Sequence, residues 1–237
     1  TSVPSLTGSV FGTPSPYRSL VLMNHYVSGA GGNAEQEYIT INVAQDAGVP
    51  VDVTGWTLVR DARNSSASIS RGTEIPTSGI VNATQNIVLT PGTRAIIISG
   101  KSPIGGSFRE NKCIGYFSSF QTFYPSLPQN CPDPSDEVSS YIKSNYLRET
   151  VCVEYVDKLS RCQVQLSPPV GLSNVCQSFL VDRLNYNGCM NAHKNDADFL
   201  DNTWRIYLNR TAPLWRTKYE VIKLLDTSGK TVDAFSY

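Results

Sequence analysis

Six cysteines carry the strongest chemical signal in this 237-residue chain, and all of them lie between Cys113 and Cys189. The spacings along Cys113, Cys131, Cys152, Cys162, Cys176 and Cys189 are 18, 21, 10, 14 and 13 residues, so there is no C-x-x-C pair. A zinc ribbon or a thioredoxin-like redox centre needs such close pairs, and neither is expected. An even number of cysteines confined to one segment reads as three local disulfides in an exported protein. The alternative is six free thiols buried in a cytosolic core. Spacing alone leaves the connectivity open. Cys152 and Cys176, however, fall on the apolar faces of two predicted helices and could pair across them.

Other chemistry is sparse. The only histidines are His25 and His193, and no H-E-x-x-H, G-x-S-x-G, P-loop or dinucleotide fingerprint occurs. A cysteine nucleophile beside His193 is conceivable only if that cysteine is unoxidised. No catalytic residue and no cofactor are therefore expected. The run HKNDADFLDN places Asp196, Asp198, Asp201 and Asn202 together as hard oxygen donors, a candidate calcium site. It lacks the sharp-turn Gly and the closing Glu of an EF-hand. The other reading is a polar, capping-rich loop. Tyr116, Phe117, Phe120, Phe123 and Tyr124 fall within nine residues and form a candidate interaction surface for protein or glycan. Their other reading is packing of this segment against the rest of the fold.

Charge narrows the partners further. There are 20 basic and 20 acidic residues, with net charges of +1, −3 and +2 over 1–112, 113–200 and 201–237. Arg205, Arg210, Arg216, Lys218, Lys223 and Lys230 cluster near the end but sit among acids, which argues against nucleic-acid binding. No apolar run approaches the roughly 18 residues of a membrane span. Asn64, Asn82 and Asn209 stand in N-glycosylation sequons, which matter only in a eukaryotic secretory route.

These groups must be positioned by a largely β framework. Residues 1–18 are rich in Ser, Thr, Gly and Pro and read as a linker or lead-in. The chain opens without an initiator Met, as expected of a processed or trimmed chain. Short β-like runs follow: SLVLMNHY, EYITINVA, VDVTGWTLV, NIVLT and RAIIISG. In the second, Ile39, Ile41 and Val43 alternate with polar neighbours, the period of a half-buried strand. Gly55 predicts a bend that turns Trp56 into the core. EVIKLLD and KTVDAFSY read as a terminal hairpin around Asp226 and Gly229. Between about 135 and 185 the period changes. Val138, Tyr141 and Ile142 follow a Ser135 cap, and Cys152, Tyr155, Val156 and Leu159 repeat the spacing. Leu172, Val175, Cys176, Phe179 and Leu180 do so again. Two or three short helices are predicted there.

Four of these motifs, in order, resemble the lamin tail domain. That family shows a strand of the form E-Y-I-E-L, then V-D-L-S-G-W-x-L, then L-x-P-G before an apolar strand. A hairpin I-x-L-x-D-x-x-G-x-x-V-D closes it. Here EYITI stands at Glu37–Ile41, VDVTGWTL at Val51–Leu58, LTPGTRAIIISG at Leu89–Gly100 and VIKLLDTSGKTVD at Val221–Asp233. The ending at Tyr237 also fits. The resemblance implies an immunoglobulin-like β-sandwich over 19–100 and 203–237, interrupted at 101–202 by a small, partly helical, disulfide-rich insertion. A plain tail domain has no such insertion. The cysteine-rich insertion looks more like an extracellular bacterial variant of that family than a nuclear one. The expected role is a non-enzymatic structural or adhesive module outside the cell or at its surface. Its partners would be a protein, a surface glycan or a second copy. The alternative is a targeting domain of a secreted nuclease or other hydrolase, with weak affinity for nucleic acid or polysaccharide.

Overall fold

The computed structural model describes residues 11–60, 65–145, 149–218 and 220–236. Asn64, Tyr237 and the side chain of Ile142 lie outside the described residues. Strand makes up 26% and helix 19%, so the chain is mainly β. It divides into two compact units. One comprises Thr1–Pro76, Asn82–Glu110 and Asn202–Tyr237, and the other Thr77–Val81 with Asn111–Asp201.

The first unit holds the sheets. Strands β1 (Val21–Met23), β2 (Tyr38–Val43), β6 (Gly72–Thr73), β8 (Arg94–Ile98), β9 (Ser107–Asn111) and β10 (Leu200–Tyr207) form one sheet in the order β1-β2-β8-β10-β9-β6. Strands β4 (Thr57–Arg60), β5 (Ser65–Ser68), β11 (Val221–Leu225) and β12 (Thr231–Ser236) form a second in the order β12-β11-β4-β5. The short β3 (Val51–Asp52) and β7 (Val88–Leu89) pair separately. Residues of both large sheets share one core, a sandwich-like arrangement.

Local sequence explains most of this framework. In β2, Ile39, Ile41 and Val43 are buried while Asn42 is exposed, as the alternation requires. Strand β8 is antiparallel to β2 and parallel to β10, and every residue after Arg94 is buried. Its unbroken apolar run suits a strand covered on both faces. Gly55 adopts φ +81°, a conformation that costs glycine little, and it delivers Trp56 into the core with 1% exposure. The Tyr17 ring lies 5.2 Å from the Trp56 ring. The terminal hairpin turns where expected. Asp226 Oδ1 accepts the Ser228 and Lys230 N–H groups, and Gly229 sits at φ +74°.

Three features are not visible in the sequence pattern. Residues 11–18 are tied down rather than free. The Ser15 hydroxyl donates to Asp226 at 2.6 Å, and the Thr231 N–H donates to the Thr13 carbonyl at 2.8 Å. Strand β9 lies within the interval assigned above to the insertion, yet it belongs to the large sheet. Its polar sequence, SFREN, conceals a buried strand because Glu110 pairs with the buried Arg205 of neighbouring β10. Third, Glu37 is completely buried. Its carboxylate accepts the Ser99 hydroxyl and the Leu214 N–H at 2.5 Å each, and the Trp215 N–H at 3.0 Å. Burial pushes this carboxyl above its ordinary 4.5, against the pull of those donors.

The second unit holds a 3-10 helix (Ile114–Ser119) and four α-helices: α1 (Pro134–Asn145), α2 (Thr150–Val156), α3 (Asn174–Arg183) and α4 (Tyr186–His193). The cap of α1 is Asp133, not Ser135. Asp133 Oδ1 accepts the Ser135 N–H at 3.0 Å, and Pro134 takes the first helical position, where its missing N–H costs nothing. Ser173 caps α3 by accepting the Cys176 N–H at 3.1 Å. Helix α4 lies beyond the predicted helical interval. Its Asn and Gly residues have poor helix propensity, which hides it from a periodicity reading. Gly188 is needed there because a Cβ would come within 2.0 Å of the Asp182 carbonyl oxygen.

Two substitutions test this framework by urea unfolding. Trp56→Ala is expected to lose about 3–5 kcal/mol, since it empties the centre of the core. Glu37→Ala leaves the Leu214 and Trp215 N–H groups buried without acceptors, and a loss of about 3 kcal/mol or more is expected. A loss below about 1 kcal/mol for Glu37→Ala would show that the loop finds other acceptors.

Candidate functional site

The cysteines define the helical unit. All six are oxidised, as Cys113–Cys189, Cys131–Cys162 and Cys152–Cys176. Cys113 stands just before the 3-10 helix and is bonded to Cys189 of α4. Cys131 precedes α1 and Cys162 follows α2, so their bond encloses both helices. Cys152 of α2 meets Cys176 of α3, the pairing suggested by their two apolar faces. The bridged cysteines are 76, 31 and 24 residues apart. Loop-closure entropy alone makes each bond worth about 3.5–4.5 kcal/mol, although overlapping loops are not additive. With no free thiol among the cysteines, His193 has no cysteine nucleophile to activate.

The acidic run is an ion-pair network. Lys112 Nζ lies 2.6 Å from Asp198 Oδ1 and 3.1 Å from Asp196 Oδ2. His193 ends α4 and bridges two carboxylates. Its Nδ1 is 2.8 Å from Asp196 Oδ2 and its Nε2 is 2.8 Å from Glu137 Oε1 on α1. Asp196 is held below the usual carboxylate range by its bonds to His193 and then Lys112, and Asp198 by Lys112. Burial would lower the Lys112 ammonium, but the two aspartates outweigh it and raise it. A calcium ion at Asp196 and Asp198 would have to displace that ammonium. Asp201 is half-buried at the start of β10 and also has partners of its own. This is the chemistry of a latch between α1, the end of α4 and Lys112, rather than that of a cation cage. The sequence offered Asp196 and Asp198, but nothing in it pointed to Lys112 or Glu137 as their distant neighbours.

The aromatic stretch divides in two. Tyr116, Phe117 and Phe123 are buried, so they belong to the interior and not to an interaction surface. Phe117 stacks on Tyr186 of α4 at 4.2 Å, and burial raises both the Tyr116 and the Tyr186 hydroxyl. Phe120 and Tyr124 are exposed. Exposed apolar side chains otherwise favour this unit. Among the described residues, eight of the twelve large exposed ones lie in it, including Val151, Leu166, Val170 and Val181. In the sheet unit, Arg205 is buried against Glu110, which removes it from the basic cluster, and His25 stacks on Phe235 at 4.9 Å.

A cleft of about 500 Å³ opens beside the Cys152–Cys176 bond. Its walls are Glu149, Thr150, Val151 and Cys152 at the start of α2, and Gly171, Leu172 and Ser173 before α3. Glu149 went unnoticed in the sequence. The signal available was the Glu149-x-x-Cys152 spacing, with Glu149 at the N-cap of α2 and Cys152 in its first turn.

No helix among the described residues is long and apolar enough to cross a membrane. Set against protein-family models, curated proteins and solved structures, the chain matches none of them.

The latch gives a pH prediction. Asp196 and Asp198 sit below their ordinary 3.8 in the folded state, so near and below that pH the unfolded chain binds more protons. Their contribution is present above this window and is lost as pH falls through it. Urea midpoints at about pH 6 and about pH 3 should therefore drop less in Lys112→Met than in the unaltered chain. An equal drop in both would mean that Lys112 does not hold the two carboxylates.

Proposed function

We propose that this chain is an exported, non-enzymatic interaction module of the lamin-tail, immunoglobulin-like kind. It acts in a structural or adhesive role at the cell surface or outside the cell. The sandwich-like unit is the platform and the disulfide-bonded helical unit carries the contact surface. One observation carries this reading: exposed apolar side chains concentrate on the stapled unit. Apolar residues left in water in this way suit burial against a partner. Supporting it, the three disulfides suit an oxidising compartment. The titratable residues of the His193 network are engaged with one another rather than with an open pocket. The tail-domain resemblance finds physical roles in Glu37, the Gly55–Trp56 turn and the Asp226–Gly229 hairpin.

The test is sedimentation of the whole chain over a range of concentrations, alone and with isolated surface glycan. Leu166→Asp combined with Val170→Asp changes two exposed positions and should leave the thermal melt unchanged. Self-association or glycan binding that this double variant weakens about tenfold or more supports the module reading. A monomer that binds no glycan but shifts a DNA duplex in a salt-dependent manner would replace it with a nucleic-acid targeting role.

A further inference from the structure

We propose that Glu149, Cys152 and Cys176 form a latent zinc site that becomes available when the Cys152–Cys176 bond is reduced. The metal-ligating atoms of these three residues lie within 4.8 Å of one another, and no other such disulfide-bearing triplet occurs among the described residues. Thiolate and carboxylate ligands of one tetrahedral zinc ion are separated by roughly 3.5–3.8 Å, given bond lengths of about 2.3 Å to sulfur and about 2.0–2.2 Å to oxygen. The two Cα atoms are 5.8 Å apart, so the sulfurs can reach this separation by side-chain rotation after the bond opens. Cys176 lies in the first turn of α3, which favours its thiolate. The cleft walled by Glu149 and Cys152 gives solvent and ions a route to these side chains. Two thiolates and one carboxylate suit zinc, whereas calcium and magnesium reject sulfur donors.

The reduction balances with an external dithiol. One thiolate of the dithiol attacks Cys152 Sγ, the disulfide breaks, and Cys176 leaves as a thiolate. The second thiol of the reagent then attacks the mixed disulfide and releases the Cys152 thiolate. The dithiol is oxidised by two electrons to its own disulfide, and its two protons pass to solvent or to the new thiolates. Zinc binding displaces any proton left on sulfur. The chain thus has two mutually exclusive ways of joining α2 to α3: a covalent bond under oxidising conditions and a zinc thiolate under reducing ones. This goes beyond the proposed module role and does not depend on it.

The experiment uses the full chain, treated anaerobically with limiting dithiol and freed of reagent. Alkylation and peptide mass mapping establish which cysteines have opened. Cobalt(II) is then titrated in as a spectroscopic stand-in, followed by displacement with zinc. The expected result is opening at Cys152 and Cys176 first and one cobalt per chain. A thiolate-to-cobalt charge-transfer band should appear, and zinc should abolish it. Glu149→Gln keeps the fold and both sulfurs. It should weaken zinc binding by more than the roughly 10–100-fold that loss of an outer-shell partner costs. Cys152→Ser should remove the band. A band that persists unchanged in both variants, zinc bound equally well by the oxidised chain, or preferential opening of another disulfide would each overturn the proposal.

Discussion

Glu37 is a carboxylate without solvent, and the sheet unit is organised around its need for donors. It stands at the entrance to β2 and accepts the N–H groups of Leu214 and Trp215, which lie in the segment leading from β10 towards β11. The Ser99 hydroxyl, just past β8, and the Gly31 N–H add further donors. One side chain thereby holds together strand ends that are up to 178 residues apart in sequence. A carboxylate buried without donors would be severely destabilising, whereas one that satisfies several buried N–H groups is selected by the same low dielectric. Trp215 and Leu214 are themselves core residues, so the hydrogen bonds and the apolar packing fix the same loop.

The helical unit solves a different problem. Its helices are short, with α2 spanning only seven residues, and such helices are marginal without tertiary support. Three disulfides bring distant segments together, and the rings of Phe117 and Tyr186 pack near the centre. The latch of Lys112, Asp196, Asp198, His193 and Glu137 joins three further segments through charge. Exposed ion pairs contribute little individually, so the covalent bonds set the stability here and the charges set the local geometry. A unit stabilised in this way can leave apolar side chains on its surface, because its fold does not depend on burying them.

Much of the scaffold was legible because its signals are local. Alternation in β2, the apolar run of β8, the Gly55–Trp56 turn and the terminal hairpin each depend on neighbours within a few residues. The pairing of Cys152 with Cys176 was within reach because both lie on apolar helical faces. Several misses involve polar residues whose partners are far away in sequence, whereas helix α4 was hidden by its poorly helix-forming Asn and Gly residues. SFREN in β9 does not resemble a buried strand until Arg205 is placed beside Glu110. Asp196 and Asp198 resemble cation ligands until Lys112 occupies the space between them. The aromatic stretch looked continuous, yet the backbone turns Tyr116, Phe117 and Phe123 inward and leaves Phe120 and Tyr124 outside.

By itself, then, the sequence determined the mainly β class, the placement of the helices and cysteines in one segment, and the turns that deliver Trp56 and close the last hairpin. Those follow from periodicity, backbone preference and composition, which act over short distances. Tertiary structure alone decided that Glu37 would be an internal acceptor and that the aspartates would neutralise a lysine. It also set which rings are buried and brought Glu149 beside two sulfurs. The reason is electrostatic: the behaviour of a charged or polar side chain depends on what lies within a few ångströms of it, and in this chain those neighbours come from distant segments.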